Sequence, residues 1–270
     1  MALPTLSAPA VRVLVLAAAF GTTLLMVASG CAYQETAPPR PYLTEKPAAK
    51  ASPSPKPSEG GRRPDDGGVR ALSDAQAQAA LITEADLGEP WMPTEGAATW
   101  RDGFLKAAPR EPECRRLMDA LYADDLLGAP ARATVGLDDG YADGQLRYQV
   151  TSGAPADLDR SLAWLRSLPQ ICAKFVAGGA GGARHTVTVE DVPLPETGDT
   201  RQGLRVTVTR DLDDGPVTLT LDVAAVRVGD DALTVTNGGL GEILTDTTTA
   251  AVELGAERLA EVRRQGRVQV

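Results

Sequence analysis

The chain has 270 residues, with 27 Lys and Arg against 36 Asp and Glu, so its formal net charge is −9. This length suits one or two domains and is too short for a large multidomain protein. The negative balance argues against nucleic-acid binding, because phosphate contacts require basic side chains clustered on one face. We therefore expect no nucleic-acid partner.

The first 30 residues have the composition of a secretion signal. Arg12 is their only charged side chain, and residues 13–27 form an apolar run. This run is shorter than the ~20 residues that cross a bilayer as a helix. We predict a signal peptide over residues 1–30, and the alternatives are a plain membrane anchor or a cleaved secretory peptide.

The residues at the end of this segment indicate lipid attachment. Ala28, Ser29 and Gly30 precede Cys31, and this order resembles the bacterial lipobox, although Leu is commoner at the place of Ala28. The resemblance implies lipidation of Cys31 by fatty-acyl chains such as palmitate. Two acyl chains anchor a protein stably, whereas one chain binds only marginally. We expect a lipid anchor in the cell membrane, with the rest of the chain on its extracytoplasmic face.

Residues 31–70 are predicted to be a disordered linker that carries the lipidated cysteine at its start. Residues 32–70 contain eight prolines and two Gly-Gly pairs, and almost no large apolar side chains. Such a composition cannot bury a core. It is typical of a spacer, although Pro-rich segments can also bind aromatic grooves. Residues 32–70 contain seven basic and five acidic side chains, and the signal peptide contains one arginine. Since the whole chain has a net charge of −9, residues 71–270 carry a net charge of −12.

Residues 71–270 are predicted to form one α+β domain, because helical and strand patterns occur in blocks rather than in regular alternation. The strands are expected to form an antiparallel meander that is packed by helices. A loop that contains Trp91 and Trp100 is expected between the first helices. Pro155 begins a helix that we expect to end or kink at Pro169. The other predicted helices cover residues 73–82, 84–87, a segment from 112 and 244–264, and the predicted strands cover 131–137, 145–152, 186–192, 204–212, 217–227 and 232–236.

Two cysteines remain after Cys31 is assigned to lipid. Cys114 recurs with apolar residues at i+3, i+4 and i+7, which places it on the buried face of a helix. Cys114 and Cys172 then form an even pair in an exported domain, and we predict a disulfide between them. The alternative is a reactive thiol that acts with His185.

Signatures of catalysis are scarce in this sequence. The chain has one histidine and lacks both the Gly-x-Ser-x-Gly and the His-Glu-x-x-His motifs. Most triads and zinc sites need more histidines than this. We predict that the chain is not an enzyme and that it has no cofactor and no metal site.

Two acidic turns and three aromatic residues are candidate ligand sites. Residues 138–144 and 211–215 combine several Asp with Gly, and oxygen ligands in a tight turn suit calcium. Asp-Gly is also a common hairpin turn, and we favour that structural role. Trp91, Trp100 and Tyr141 could line a ligand groove, but we favour packing over sheet edges. No ligand-binding residue is assigned from the sequence.

Several segments together resemble a family of exported sensor-like domains. They are the lipobox, the Pro-rich linker, Leu-Ile-Thr-Glu-Ala-Asp-Leu over residues 81–87 with Trp91 after it, the helices with Cys114 and Cys172, and Val-Arg-Val-Gly-Asp over residues 226–230. This order resembles the extracellular domain of PknH-type mycobacterial receptor kinases. The resemblance implies an actinobacterial α+β domain with a groove for a wall or lipid ligand. The chain departs from those receptors because it shows no kinase domain, no spanning helix and one candidate disulfide instead of two.

We interpret the chain as a membrane-anchored extracytoplasmic lipoprotein with a non-enzymatic ligand-binding or sensor-like domain. Its expected partners are the membrane, through the lipid anchor, and a cell-wall, lipid or protein ligand in a groove between helices and sheet. The first alternative is a lipid or glycolipid carrier, which requires a large apolar cavity. The second is a cell-wall glycoside hydrolase, which requires two carboxylates that face a cleft.

Overall fold

A computed structural model describes residues 71–268 of the chain. The signal peptide, Cys31 and the linker lie outside the described residues. The described part is an α+β domain in which helices pack on an antiparallel sheet, as the sequence predicts.

Helices and strands occur in blocks along this domain. Within residues 71–268 the α-helices are α1 (Asp74–Ala79), α2 (Glu84–Leu87), α3 (Trp100–Leu105), α4 (Pro112–Ala123), α5 (Pro155–Ile171) and α6 (Thr245–Val268). The strands are β1 (Trp91–Pro93), β2 (Ala108–Pro109), β3 (Ala133–Asp139), β4 (Gly144–Ser152), β5 (Lys174–Gly178), β6 (Arg184–Asp191), β7 (Thr200–Leu212), β8 (Gly215–Val228) and β9 (Asp231–Leu240).

The strands form one sheet in the order β1-β3-β4-β9-β8-β7-β6-β5-β2, and all neighbours are antiparallel. Strands β5 to β9 follow one another in chain order, which confirms the predicted meander. Strands β3 and β4 form the predicted hairpin, and β9 joins it to the meander by pairing with β4. The edge strands β1 and β2 have only three and two residues, and short edges limit pairing with other chains.

Apolar side chains pack on both faces of this sheet. Successive side chains of a strand point to opposite faces. On β8, Leu221 and Val223 therefore join a core with α3, α4 and α5, whereas Ala224 and Val226 join a second core with α1 and α6. Helix α6 contacts β8 and β9, which confirms the closing helix predicted from the sequence.

Helix α6 is 24 residues long and has one buried face. Ala251, Val252 and Leu259 lie on that face, while Glu253 and Glu257 are exposed. This amphipathic pattern is that of a helix that packs one face on a protein core. Among residues 71–268, no helix combines the length and the hydropathy that are needed to span a membrane.

Helix α5 continues through Pro169 to Ile171, although the sequence predicted an end or a kink at this proline. A proline inside a helix cannot donate to the carbonyl four residues earlier, here that of Leu165. The Cys172 N–H donates to the Leu168 carbonyl at 2.7 Å and closes the last turn. Because the helix ends two residues after the proline, little of its hydrogen-bond ladder is lost.

The segment with Trp91 and Trp100 is also more regular than the predicted loop. Trp91 begins β1 and is opposite Asp139 on β3, and Trp100 begins α3. Strand β5, directly after α5, was not predicted either. These elements are too short to give a clear hydrophobic period, and β1 and β5 are defined by pairing with neighbouring strands.

Candidate functional site

The predicted disulfide is present and joins the ends of two helices. Cys114 lies in the first turn of α4 and Cys172 caps the end of α5, and their Cα atoms are 5.6 Å apart. Both residues are buried. The bridge uses both thiols, so the structure favours it over a reactive thiol paired with His185. It also fixes the two helix ends that border a groove.

This groove, which we call the edge groove, lies between the start of α4, the end of α5 and strand β5. Its volume is about 680 Å³, within the range of small-molecule sites. Ala108, Ile171 and the buried Cys114 are among its lining residues. A ligand groove between helices and sheet is expected from the sequence, and the edge groove lies between helices and the margin of the sheet.

The sheet edge is open at this point because β2 is short. Strand β2 pairs with β5 only through Ala108 opposite Gly178 and Pro109 opposite Ala177. Arg115 holds β2 against α4, since its Nε and Nη2 donate to the Pro109 carbonyl at 3.0 and 2.7 Å. The first three residues of β5 therefore have no strand partner on this side among the described residues, and they form one wall of the groove.

Positive side chains surround the edge groove. Arg110, Lys174 and Arg184 line it, against one carboxylate, Glu111, and all four are exposed. Within residues 71–268 none of these four side chains forms an ion pair. The local excess of two positive charges contrasts with the net charge of −12 of residues 71–270. Cations without partners in a concave site favour an anionic ligand.

The floor and mouth of the edge groove are apolar. Phe175 and Ala177 of β5 are buried beneath it. At the mouth, Ile171 and Val176 are 54% and 49% exposed, two of the large apolar side chains that the described domain leaves in solvent. An anion with an attached apolar portion would contact both the cations and this surface.

His185 lies beside the groove but does not line it. It is 2% exposed, is opposite Ala177 on β5, and stacks on Phe104 with ring centroids 6.0 Å apart. Burial lowers the pKa of this imidazole, and the charge of Arg210 lowers it further. Neither ring nitrogen has a hydrogen-bond partner among the described residues. The side chain is therefore a neutral part of the core.

The three aromatic residues singled out in the sequence have different surroundings. Trp100 is buried in the core and its Nε1 donates to the Asp143 carbonyl at 3.2 Å. Trp91 and Tyr141 instead line one pocket of about 330 Å³, which we call the loop pocket. It lies between β1, the β3–β4 turn and the segment before α6. Packing, the favoured interpretation, holds for Trp100 and for Trp91, which are both buried in a core, whereas Tyr141 is 82% exposed.

The two acidic turns act as structural turns in the described domain. Asp139 Oδ1 accepts hydrogen bonds from the backbone N–H groups of Tyr141 and Ala142, at 2.8 and 3.2 Å. The second turn closes the β7–β8 hairpin, with Leu212 opposite Gly215. In residues 71–268 no group of three or more His, Cys, Asp or Glu side chains is placed to hold a metal ion.

The positions of carboxylates bear on the hydrolase alternative, which needs two of them across a cleft. The edge groove contains only Glu111. The loop pocket contains Asp139, Asp143 and Glu242. Carboxylates also lie near one another beside α4, at Asp119 and Asp125. The hydrolase alternative therefore stays untested.

The residues that define the edge groove could not be found from the sequence. Arg110 is 64 positions from Lys174, and Arg184 follows another ten positions later. They meet because the disulfide and the β5–β6 pairing bring α4 and two strands together. Only Cys114, which was predicted to face inward, pointed to this part of the domain.

Comparison with solved structures shows a distant structural likeness. The chain is similar to the crystal structure of the extracellular domain of PknH from Mycobacterium tuberculosis, at 15% sequence identity and a TM-score of 0.43, over 73% of this chain and 100% of that chain. No protein-family model matches the sequence, and no curated protein matches it. The function of the site is therefore argued from its own residues.

Proposed function

We propose that the chain is a membrane-anchored extracytoplasmic lipoprotein whose folded domain binds an anionic amphiphile in the edge groove, without chemical turnover. A phosphate- or carboxylate-bearing lipid or glycolipid belongs to this class. The observation that supports the proposal most strongly is the set of three cations without ion-pair partners in the described domain, around an apolar floor.

The charges explain which head group would bind. Hydrogen bonds to a charged partner contribute roughly 1.5–3 kcal/mol each when they are well formed. Arg110 and Arg184 offer planar guanidinium groups, which match phosphate and carboxylate oxygens in pairs. Lys174 adds a flexible ammonium group on the β5 wall. The rest of the domain is acidic, so an anion would find its favourable potential in this groove.

The apolar surface explains why the ligand would carry a chain. Burial of apolar area contributes roughly 25 cal/mol per Å². Ile171 and Val176 are exposed apolar residues of the groove, and the buried Phe175 also lines it. The edge groove opens to solvent along the sheet edge, which suits recognition of part of an amphiphile. A carrier would instead enclose whole acyl chains in a cavity.

The proposed anchor would hold this groove close to such ligands. Lipidation at Cys31 would leave the 39 residues 32–70 between the membrane and the domain. A flexible coil of that length would extend roughly 35 Å on average. The domain would then sample the membrane surface and the inner layer of the cell wall.

Native mass spectrometry of the exported full chain in a non-ionic detergent tests the proposal. We expect a co-purifying adduct of several hundred daltons that is lost on denaturation and whose isolated form carries a negative charge. The double variant Lys174→Glu/Arg184→Glu should lose the adduct. Arg160→Glu, on the exposed side of α5, changes charge outside the groove and should keep it. An adduct of unchanged abundance in the double variant would contradict the proposal.

A further inference from the structure

We propose that the loop pocket is a second binding site and that it takes an organic ammonium group. It lies at the β1 side of the sheet, whereas the edge groove lies at the β2 side. Its lining has the opposite charge and combines aromatic residues with the acidic β3–β4 turn. The inference does not depend on the ligand of the edge groove.

Two aromatic residues line the loop pocket. Trp91 is 8% exposed and packs in the core with α1 and α6, so the part of its indole that reaches the pocket is held rigidly. Tyr141 is 82% exposed in the β3–β4 turn, where its ring is accessible to a ligand. The faces of Trp and Tyr rings attract cations, and the attraction grows when the cation is desolvated between them.

Carboxylates complete the rim of the pocket. Asp139, Asp143 and Glu242 line it, and its lining contains no Lys, Arg or His. None of the three carboxylates forms an ion pair within residues 71–268. Asp139 is already held by backbone N–H groups of its turn, which leaves Asp143 and Glu242 as the freer partners. Uncompensated negative charge beside aromatic faces is complementary to an ammonium group.

A buried amide at the inner end of the pocket supplies a hydrogen-bond acceptor. Asn237 on β9 is 2% exposed and lines the pocket. Its Nδ2 donates to the Leu244 carbonyl and to Thr248 Oγ1, both at 3.1 Å, which fixes the orientation of the amide. Its Oδ1 accepts no hydrogen bond from the described residues and is not fully buried, so it is open to a donor in the pocket. An N–H of a bound primary ammonium group would pair with it, whereas a quaternary group has no N–H and would use the rings and the carboxylates alone.

The pocket has room for a small head group and not for a large ligand. Its volume of about 330 Å³ is at the lower end of ligand sites. Gly239 keeps it open, since a Cβ there would lie 3.2 Å from the Asp143 carbonyl and 3.4 Å from Ile243 Cγ2. The ammonium group could belong to a quaternary choline-type head group or to a primary amine such as a lysine side chain.

Saturation-transfer NMR on the full chain in a non-ionic detergent tests this inference with four probes. Choline is compared with its neutral isostere 3,3-dimethylbutan-1-ol, and butylammonium with butan-1-ol, all at one ionic strength. We expect saturable binding of at least one cation, roughly tenfold or more tighter than that of its neutral partner. Tighter binding of choline would indicate a quaternary head group, and tighter binding of butylammonium would indicate a primary amine that uses Asn237.

Variants link the binding to the pocket. Tyr141→Ala and the double variant Asp143→Asn/Glu242→Gln should each weaken the cation severalfold, because all three side chains are exposed and outside the core. Asp213→Asn/Asp214→Asn removes the same charge from the β7–β8 turn and should leave affinity unchanged. Equal binding of cations and neutral isosteres, or equal losses in both double variants, would overturn the inference. Neither result would bear on the edge groove.

Discussion

Removal of the disulfide by Cys114→Ala/Cys172→Ala should destabilise the domain strongly. The bridge closes a loop with a sequence separation of 58. A cross-link over a loop of that length restricts the unfolded chain by about 4 kcal/mol in the chain-entropy relation. Folded domains have total stabilities of only about 5–15 kcal/mol, so the loss is a large fraction. Because Cys114 lines the edge groove and Cys172 follows Ile171, ligand affinity should fall as well.

Urea unfolding of the exported full chain, followed by far-UV circular dichroism, measures the effect. With a slope of about 2 kcal/mol per molar, a loss of about 4 kcal/mol lowers the midpoint by roughly 2 M. Wild-type protein with its thiols reduced serves as the control and should unfold near the variant. A wild-type mass that corresponds to two free thiols, or a variant midpoint equal to that of the oxidised wild type, would refute the reasoning.

Three substitutions test other parts of the packing, each by urea or thermal unfolding. In the folded protein the pKa of His185 is lowered, so on acidification protons bind the unfolded chain first. Wild-type stability should therefore fall by up to about 2 kcal/mol between pH 6.5 and 5. The variant His185→Phe lacks this imidazole, and its stability should change less over the same range. Asp86→Asn should lower the free energy of unfolding by about 1–2 kcal/mol at neutral pH, because it removes a carboxylate whose pKa is lowered by Arg258 and its other hydrogen bonds. The difference in stability from the wild type should shrink as the pH falls below about 4. A difference that stays constant with pH would contradict the ion-pair role. Gly255→Ala should destabilise by about 1–3 kcal/mol despite the better helix propensity of Ala, because its Cβ would lie 2.5 Å from Tyr148 Cε2; a more stable variant would show that the packing there is loose.

Much of the fold follows from local signals in the sequence. Ser73 begins α1 because its Oγ accepts the Gln76 N–H while Gln76 Oε1 accepts the Ser73 N–H. Alternation of apolar residues identified β3, β4 and most of β6 to β9. The inward-facing period around Cys114 and the even pair with Cys172 gave the disulfide. These features depend on residues within one element or on a count of cysteines.

The rest depends on contacts between distant segments. Strand β5 contributes only five residues, and its pairing with β6 defines it more than its composition does. Pro169 indicated an end of α5 that is two residues too early, because a proline in the last turn of a helix leaves most of its hydrogen bonds intact. The loop pocket brings Trp91 together with Glu242, which no local pattern relates. The cations of the edge groove likewise become neighbours only through tertiary structure.

The preference of the edge groove for a negative head group tests the central claim most directly. Isothermal titration calorimetry of the full chain in a non-ionic detergent compares decyl phosphate with decyl maltoside, whose alkyl chains are identical. We predict that decyl phosphate binds at least roughly tenfold more tightly and that Lys174→Glu/Arg184→Glu removes this preference. Equal affinities of the two amphiphiles for the wild-type chain would contradict the account.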